Sequence, residues 1–211
     1  IGVSNPVALL DLTDNIGKVN RTIGNIQFDY KFHFLPDLRA NLNLAYDKSG
    51  STGHNNAPDN AAWTFRQGMG QKIDYSQDKN MTLLDFYLNY TKELPSISSR
   101  FDVTGGYSWQ HFQIEGSNFS RNGDESIIQD SSEYINENFL ISFFGRLNYT
   151  LLDRYLLTVT VREDGSSKFA NNQWGLFPAA ALAWKINEEG FLKDVDAISE
   201  LKLRIGWGVT G

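Results

Sequence analysis

The sequence predicts an all-β chain, an antiparallel transmembrane β-barrel segment of about eight strands. Three observations carry the prediction: apolar and polar residues alternate strictly in run after run, the apolar faces of those runs hold no charge, and the connections between them are short and long by turns. In a strand, successive side chains point to opposite faces. The run at 26–34 therefore presents Ile26, Phe28, Tyr30, Phe32 and Phe34 on one face and Gln27, Asp29, Lys31 and His33 on the other.

The alternation recurs along the chain. Leu38, Ala40, Leu42, Leu44 and Tyr46 oppose Arg39, Asn41 and Asn43, and then Leu84, Phe86, Leu88 and Tyr90 oppose Asp85, Tyr87 and Asn89. Next, Phe101, Val103, Tyr107 and Trp109 oppose Asp102, Thr104 and Ser108. In the second half, Ile141, Phe143, Leu147 and Tyr149 oppose Ser142, Arg146 and Asn148, while Tyr155, Leu157, Val159 and Val161 oppose Thr158, Thr160 and Arg162. The run at 176–186 reads less cleanly, with Leu182, Trp184 and Ile186 among small alanines. The last run sets Leu201, Leu203, Ile205, Trp207 and Val209 against Lys202 and Arg204.

A soluble sandwich turns its apolar face inward, whereas a membrane barrel turns it to lipid and keeps polar side chains in a wet lumen. Lipid penalises an arginine or lysine at its midplane by about 2–4 kcal/mol, which purges one face of charge. The connections point the same way. Turns at 35–37, 94–98 and 152–153 alternate with longer loops expected at 48–80, 113–137 and 163–173, the pattern of periplasmic turns and extracellular loops. Tyr46, Tyr90, Trp109, Tyr149, Tyr155 and Trp184 fall near strand ends on the apolar side, where an interfacial girdle belongs. The polar faces are thus expected to line a lumen, through Asp29, Lys31, Arg39, Asp85, Asp102, Arg146, Arg162 and Arg204.

Composition narrows the function. No run approaches ~20 consecutive apolar residues, so no transmembrane helix is expected, which says nothing against transmembrane strands. With no cysteine among 211 residues, thiolate metal sites, disulfides and cysteine nucleophiles are excluded. A net charge of −6 without a basic cluster argues against nucleic-acid binding. His33, His54 and His111 lack metal-ligand spacing, so no metal or cofactor is expected. No paired acid and base stands out, and Ser166 and Ser167 in EDGSSKF read as hairpin-turn residues rather than a nucleophile, so the chain is not expected to be an enzyme. Ile1 and Gly211 both fall where a longer sequence reads as cut, so the chain is taken as a fragment.

Residues 142–211, with Phe144, Gly145, Arg146, Tyr149, Arg154, Tyr155, Asp164, Gly165, Ser166, Ser167, Phe169, Trp174, Gly175, Phe177 and Pro178, resemble the barrel of SusC/RagA-type TonB-linked outer-membrane transporters; residues 5–32 resemble an earlier segment of that barrel. The resemblance implies a plugged barrel of roughly 22 strands, to which residues 1–211 contribute part of the wall, without the plug or the TonB-contacting segment. It further implies location in a Gram-negative outer membrane and energised import of oligosaccharides, glycan fragments or peptides. A SusD-like surface lipoprotein and the TonB complex would be the partners.

For cargo contact the candidate is the segment 59–68, where Trp63 and Phe65 offer stacking surfaces and Arg66 and Gln67 offer hydrogen bonds. The acidic segment 113–137 matches no calcium-loop spacing and reads as solvated. Two alternatives stay open from the residues alone: a TonB-dependent receptor for a metal chelate or cofactor, and a soluble all-β carbohydrate-binding module.

Overall fold

The structure, a computed structural model, describes residues 5–67, 69–192 and 198–210, the side chains of Arg66 and Gln67 excepted. Eight strands are found among these residues: β1 (Asp14–Lys31), β2 (Leu38–Ala57), β3 (Gln71–Leu94), β4 (Ser99–Asn122), β5 (Ile128–Leu151), β6 (Tyr155–Ser166), β7 (Trp174–Lys185) and β8 (Lys202–Gly208). They form one sheet in sequence order, with antiparallel pairing recorded for β5 through β8. The expected fold class and the eight strands are borne out.

The connections at 32–37, 95–98 and 152–154 are the expected short turns. The last closes with Leu152 and Asp153 both at positive φ, 52° and 54°, the twist that suits a two-residue hairpin, and Arg154 N–H donates to the Leu151 carbonyl at 3.2 Å. The long connections need correction. β2 runs to Ala57 and β3 starts at Gln71, so the expected loop 48–80 is mostly strand around an insert at 58–70. The expected loop 113–137 is a hairpin with a turn at 123–127, and the loop 163–173 shrinks to 167–173. The alternation rule fails in these extensions because both faces carry polar residues: cross-strand polar pairs such as Asn118 to Asp130 at 2.8 Å and Ser120 to Gln129 at 3.1 Å replace the apolar stripe.

One helix was not foreseen. α1 (Pro6–Leu12) opens with Asn5 accepting from Val7 N–H at 3.0 Å and Pro6 in the first turn. The Asn-Pro start carries that signal, since proline forfeits only a donor that a helix start leaves free.

Packing divides the chain into two units, which we take separately: one built on residues up to Gly24, Tyr46–Thr82 and His111–Glu137, another on Asn25–Ala45, Leu83–Gln110 and from Asn138 onward. Aromatic rings lie over glycines in both. In the first unit the Tyr75 ring covers Gly53, and in the second Phe144 lies against Gly106. A side chain at either glycine would occupy the ring's place.

Candidate functional site: a polar sheet face and a pinned loop

In the second unit, cross-strand register sorts every side chain of β5–β8 to one of two faces. Tyr149, Leu157, Leu182 and Ile205 lie across from one another in turn, as do Leu147, Val159, Ala180 and Trp207. The opposite face carries Arg146 against Thr160 and Ala179, and Phe144 against Arg162 and Phe177. Burial follows the sorting: Phe143 is 48% exposed while its neighbour Ser142 is 1% exposed. The apolar face is the more open, with Val161, Leu176 and Leu182 also exposed, while the polar face is mostly half-buried with Arg146 and Ala181 open, a balance that reverses the arrangement of a soluble β-protein.

Much of the polar face is hydrogen-bonded. Arg162 Nε donates to both Asp164 oxygens at 2.7 and 2.9 Å, and its Nη2 donates to Ser142 Oγ at 2.9 Å. Asp102 accepts from Thr91 Oγ1 at 2.7 Å and Asn89 Nδ2 at 3.0 Å, and the same amide nitrogen donates to Thr104 at 2.9 Å. Ser108 Oγ donates to Asp85 at 2.5 Å. Arg146 stands in a hollow of about 230 Å³ lined also by Thr104, Phe144, Thr160 and Arg162. A second hollow of about 550 Å³ runs from Arg162 and Asp164 past Phe177 to Phe169 and Asn172.

Of the polar residues expected to act together, the structure thus gathers Asp85, Asp102, Arg146 and Arg162 on one face. Arg204 shares that face through its pairing with Ala183, but it stands on edge strand β8 away from the network. Asp29, Lys31 and Arg39 take up the corresponding alternate positions of β1 and β2 and are exposed. Among the described residues of the second unit, charge enters the apolar face only at the strand ends. Lys92 follows Leu88 and Tyr90 there, paired with Asp37, and Glu163 lies between Phe143 and Leu176.

A cluster that sequence reasoning missed fixes the aromatic end of β6 and β7. Glu189 accepts from Tyr155 Oη at 2.5 Å, from Trp184 Nε1 at 2.9 Å and from Arg154 Nη1 at 2.7 Å. The tyrosine hydroxyl chiefly, with the indole and guanidinium, holds the Glu189 carboxyl below its ordinary range. The rings of Tyr155 and Trp184 stack at 6.3 Å. Nothing in the local pattern marks Glu189, because its partners come from a turn and two different strands.

In the first unit the insert at 58–70 is pinned rather than free. Its 3-10 turn, Ala62–Gln67, buries Thr64, whose hydroxyl donates to the Ala61 carbonyl at 2.8 Å and accepts Gly70 N–H at 2.8 Å. Gly70, at φ +73°, abuts Gly123, and Gly123 N–H donates to the Met69 carbonyl at 3.0 Å, tying the insert to the β4–β5 turn. Around that turn Glu125 binds Lys72 at 2.6 Å and pairs with Arg121, which also donates to Asp74 at 2.7 Å. Of the expected contact residues, Phe65 is 73% exposed and Trp63 is half-buried, while the side chains of Arg66 and Gln67 lie outside the described residues.

Residues 4–210 match the family described as TonB dependent receptor-like, beta-barrel. The TonB-dependent receptor SusC of Bacteroides thetaiotaomicron is 40% identical over 98% of the chain, which covers 21% of that protein. TonB-dependent receptor P3 of Formosa agariphila is 29% identical over 99% of the chain, covering 22% of its length. The chain therefore spans about a fifth of the curated relatives it matches. Among solved structures, the RagAB peptide importer in its closed-closed state superposes with a TM-score of 0.80 at 15% identity, over 93% of this chain and 23% of that one. The RagAB peptide transporter gives a TM-score of 0.74 at 14% identity, over 92% and 23%, a likeness that speaks to the fold. That family is one of receptors rather than enzymes, as the residues led us to expect. The chain belongs to the TonB-dependent receptor-like β-barrel family.

Proposed function

We propose that this chain forms part of the barrel wall of a SusC/RagA-type outer-membrane transporter that imports oligosaccharides, glycan fragments or peptides. In this reading the apolar face of the sheet meets lipid, the bonded polar face lines the lumen, and the short turns point to the periplasm. The TonB complex drives transport through segments outside this chain, and a SusD-like lipoprotein closes the surface opening. The observation that carries the reading is the inverted burial of the two faces, with Phe143 open and Ser142 covered, in a chain so similar to SusC. The names of the RagAB neighbours add support for peptides and the likeness to SusC places the chain beside a TonB-dependent receptor, so both cargo classes stay within the proposal.

The pinned insert with its exposed Phe65 is where cargo or lid would be met. Phe65 is the cleaner probe than Trp63, whose half-burial ties it to the loop's own packing. In the full-length transporter, Phe65→Ala at matched surface level should lower uptake of the cognate cargo at limiting concentration several-fold, as loss of an aromatic contact of about 0.5–1.5 kcal/mol implies. Deletion of the gene should abolish that uptake, and retained growth on every glycan and peptide tested would overturn the transport reading.

A further inference from the structure

The first unit holds a hollow of about 430 Å³ whose lining includes Arg21, Asp47, Ser49, Lys79 and Phe112. Arg21 clasps Asp47 through two bonds, at 2.8 and 2.5 Å, which cancels that carboxylate. Lys79 lies one step along β3 from Asp78 and so on the opposite side of the sheet, the side where it lines this hollow with Asp47, Ser49 and Phe112. Its ammonium is exposed and forms no ion pair with any described residue. The neighbouring carboxylates do not relieve it: Asp78 and Glu115 stand one step out of phase, on the other face, where they line a separate hollow with Glu133. One uncancelled positive charge therefore remains in this hollow, beside an aromatic wall and a serine hydroxyl.

An uncommitted ammonium with an apolar ring and a hydroxyl at hand complements a carboxylate carried on a larger, partly apolar chain. We propose that this hollow is a cargo subsite for a carboxylate, with Lys79 as the charge partner, Ser49 as a hydrogen-bond donor and Phe112 packing the attached ring or side chain. The proposal rests on the transport reading above and narrows its cargo to acidic oligomers, uronate-bearing glycans or acidic peptides.

The test uses the full-length transporter with its lipoprotein. Binding of hexagalacturonate and hexaglutamate is measured beside neutral maltohexaose and hexaglutamine, for wild type, Lys79→Gln and Lys79→Arg. One acidic probe should bind wild type and weaken about tenfold in Lys79→Gln, recover largely in Lys79→Arg, and identify by its nature which source supplies the carboxylate. Exposed Lys79 makes misfolding of these variants easy to check by heat-modifiability. Equal affinity of wild type and Lys79→Gln for every probe, equal weakening of a neutral probe, or no acidic probe bound by wild type would each overturn the subsite. Uptake of neutral probes alone would discard the subsite and keep the import reading, whereas absence of any TonB-dependent uptake by wild type would sink the import reading itself.

Discussion

Gly53 shows how a single missing side chain shapes this protein. A methyl group there would lie 2.6 Å from the Ile16 carbonyl oxygen and closer still to Oη and Cζ of Tyr75, whereas at Gly24 it would meet nothing within 4 Å. Gly53→Ala should therefore destabilise the full-length barrel by about 1–3 kcal/mol, through overpacking, with Gly24→Ala a near-neutral control; urea unfolding followed by heat-modifiability reads the difference. Glu125 makes a second case. Lys72 chiefly, and then Arg121, hold its carboxyl below the ordinary glutamate range. Because the folded value is the lower one, the stabilisation is present above the unfolded value and disappears as pH falls through the folded one. Hydrogen exchange at Gly123, corrected for intrinsic rate, should accordingly report opening of the β4–β5 turn at acid pH and not at neutral pH, and Glu125→Gln should remove that dependence. Neither residue announces itself in the sequence, since Tyr75 and Lys72 come from a strand remote in the chain.

At the scale of the strand, Ala180 and Ala181 are chemically identical neighbours with opposite assignments. Ala180 lies between Val159 and Trp207 on the apolar face, and Ala181 between Thr158 and Gly206 on the polar face. With propensity held equal, Ala180→Arg should lose up to about 2–4 kcal/mol of stability in bilayers, according to depth, and Ala181→Arg clearly less. Equal losses of folded barrel would contradict the assignment of faces. The alanine run was the least legible strand by alternation, because alanine suits either face, and only pairing with β6 and β8 decides it. Strand ends were illegible for a related reason: one apolar face leaves a two-residue period in the sequence, whereas a hairpin with polar residues on both faces does not. The segment 59–68 was correctly placed between strands, within a loop expected too long, but the burial of Thr64 depends on contacts with a turn far along the chain.

For the whole molecule, the reading fixes an orientation. These 211 residues hold no cysteine, so none of them competes with an introduced label; any cysteine elsewhere in the full-length protein is replaced first. In intact cells, Lys168→Cys in the 167–173 loop should react with an impermeant maleimide, and Ser96→Cys in the 95–98 turn should react only after the outer membrane is opened; the reverse pattern would invert the barrel.

What the sequence determined by itself is the class of fold, the number of strands and which residues of each clean strand share its apolar face. These follow from a period of two residues and from the exclusion of charge by hydrocarbon, both local rules. What the tertiary structure decided is which polar residues meet. Asp102 joins Asn89 and Thr91, Arg162 joins Ser142, and Glu189 gathers Tyr155, Trp184 and Arg154. Those partners are set by register between strands, and a one-residue slip would separate them all while leaving each strand's alternation intact.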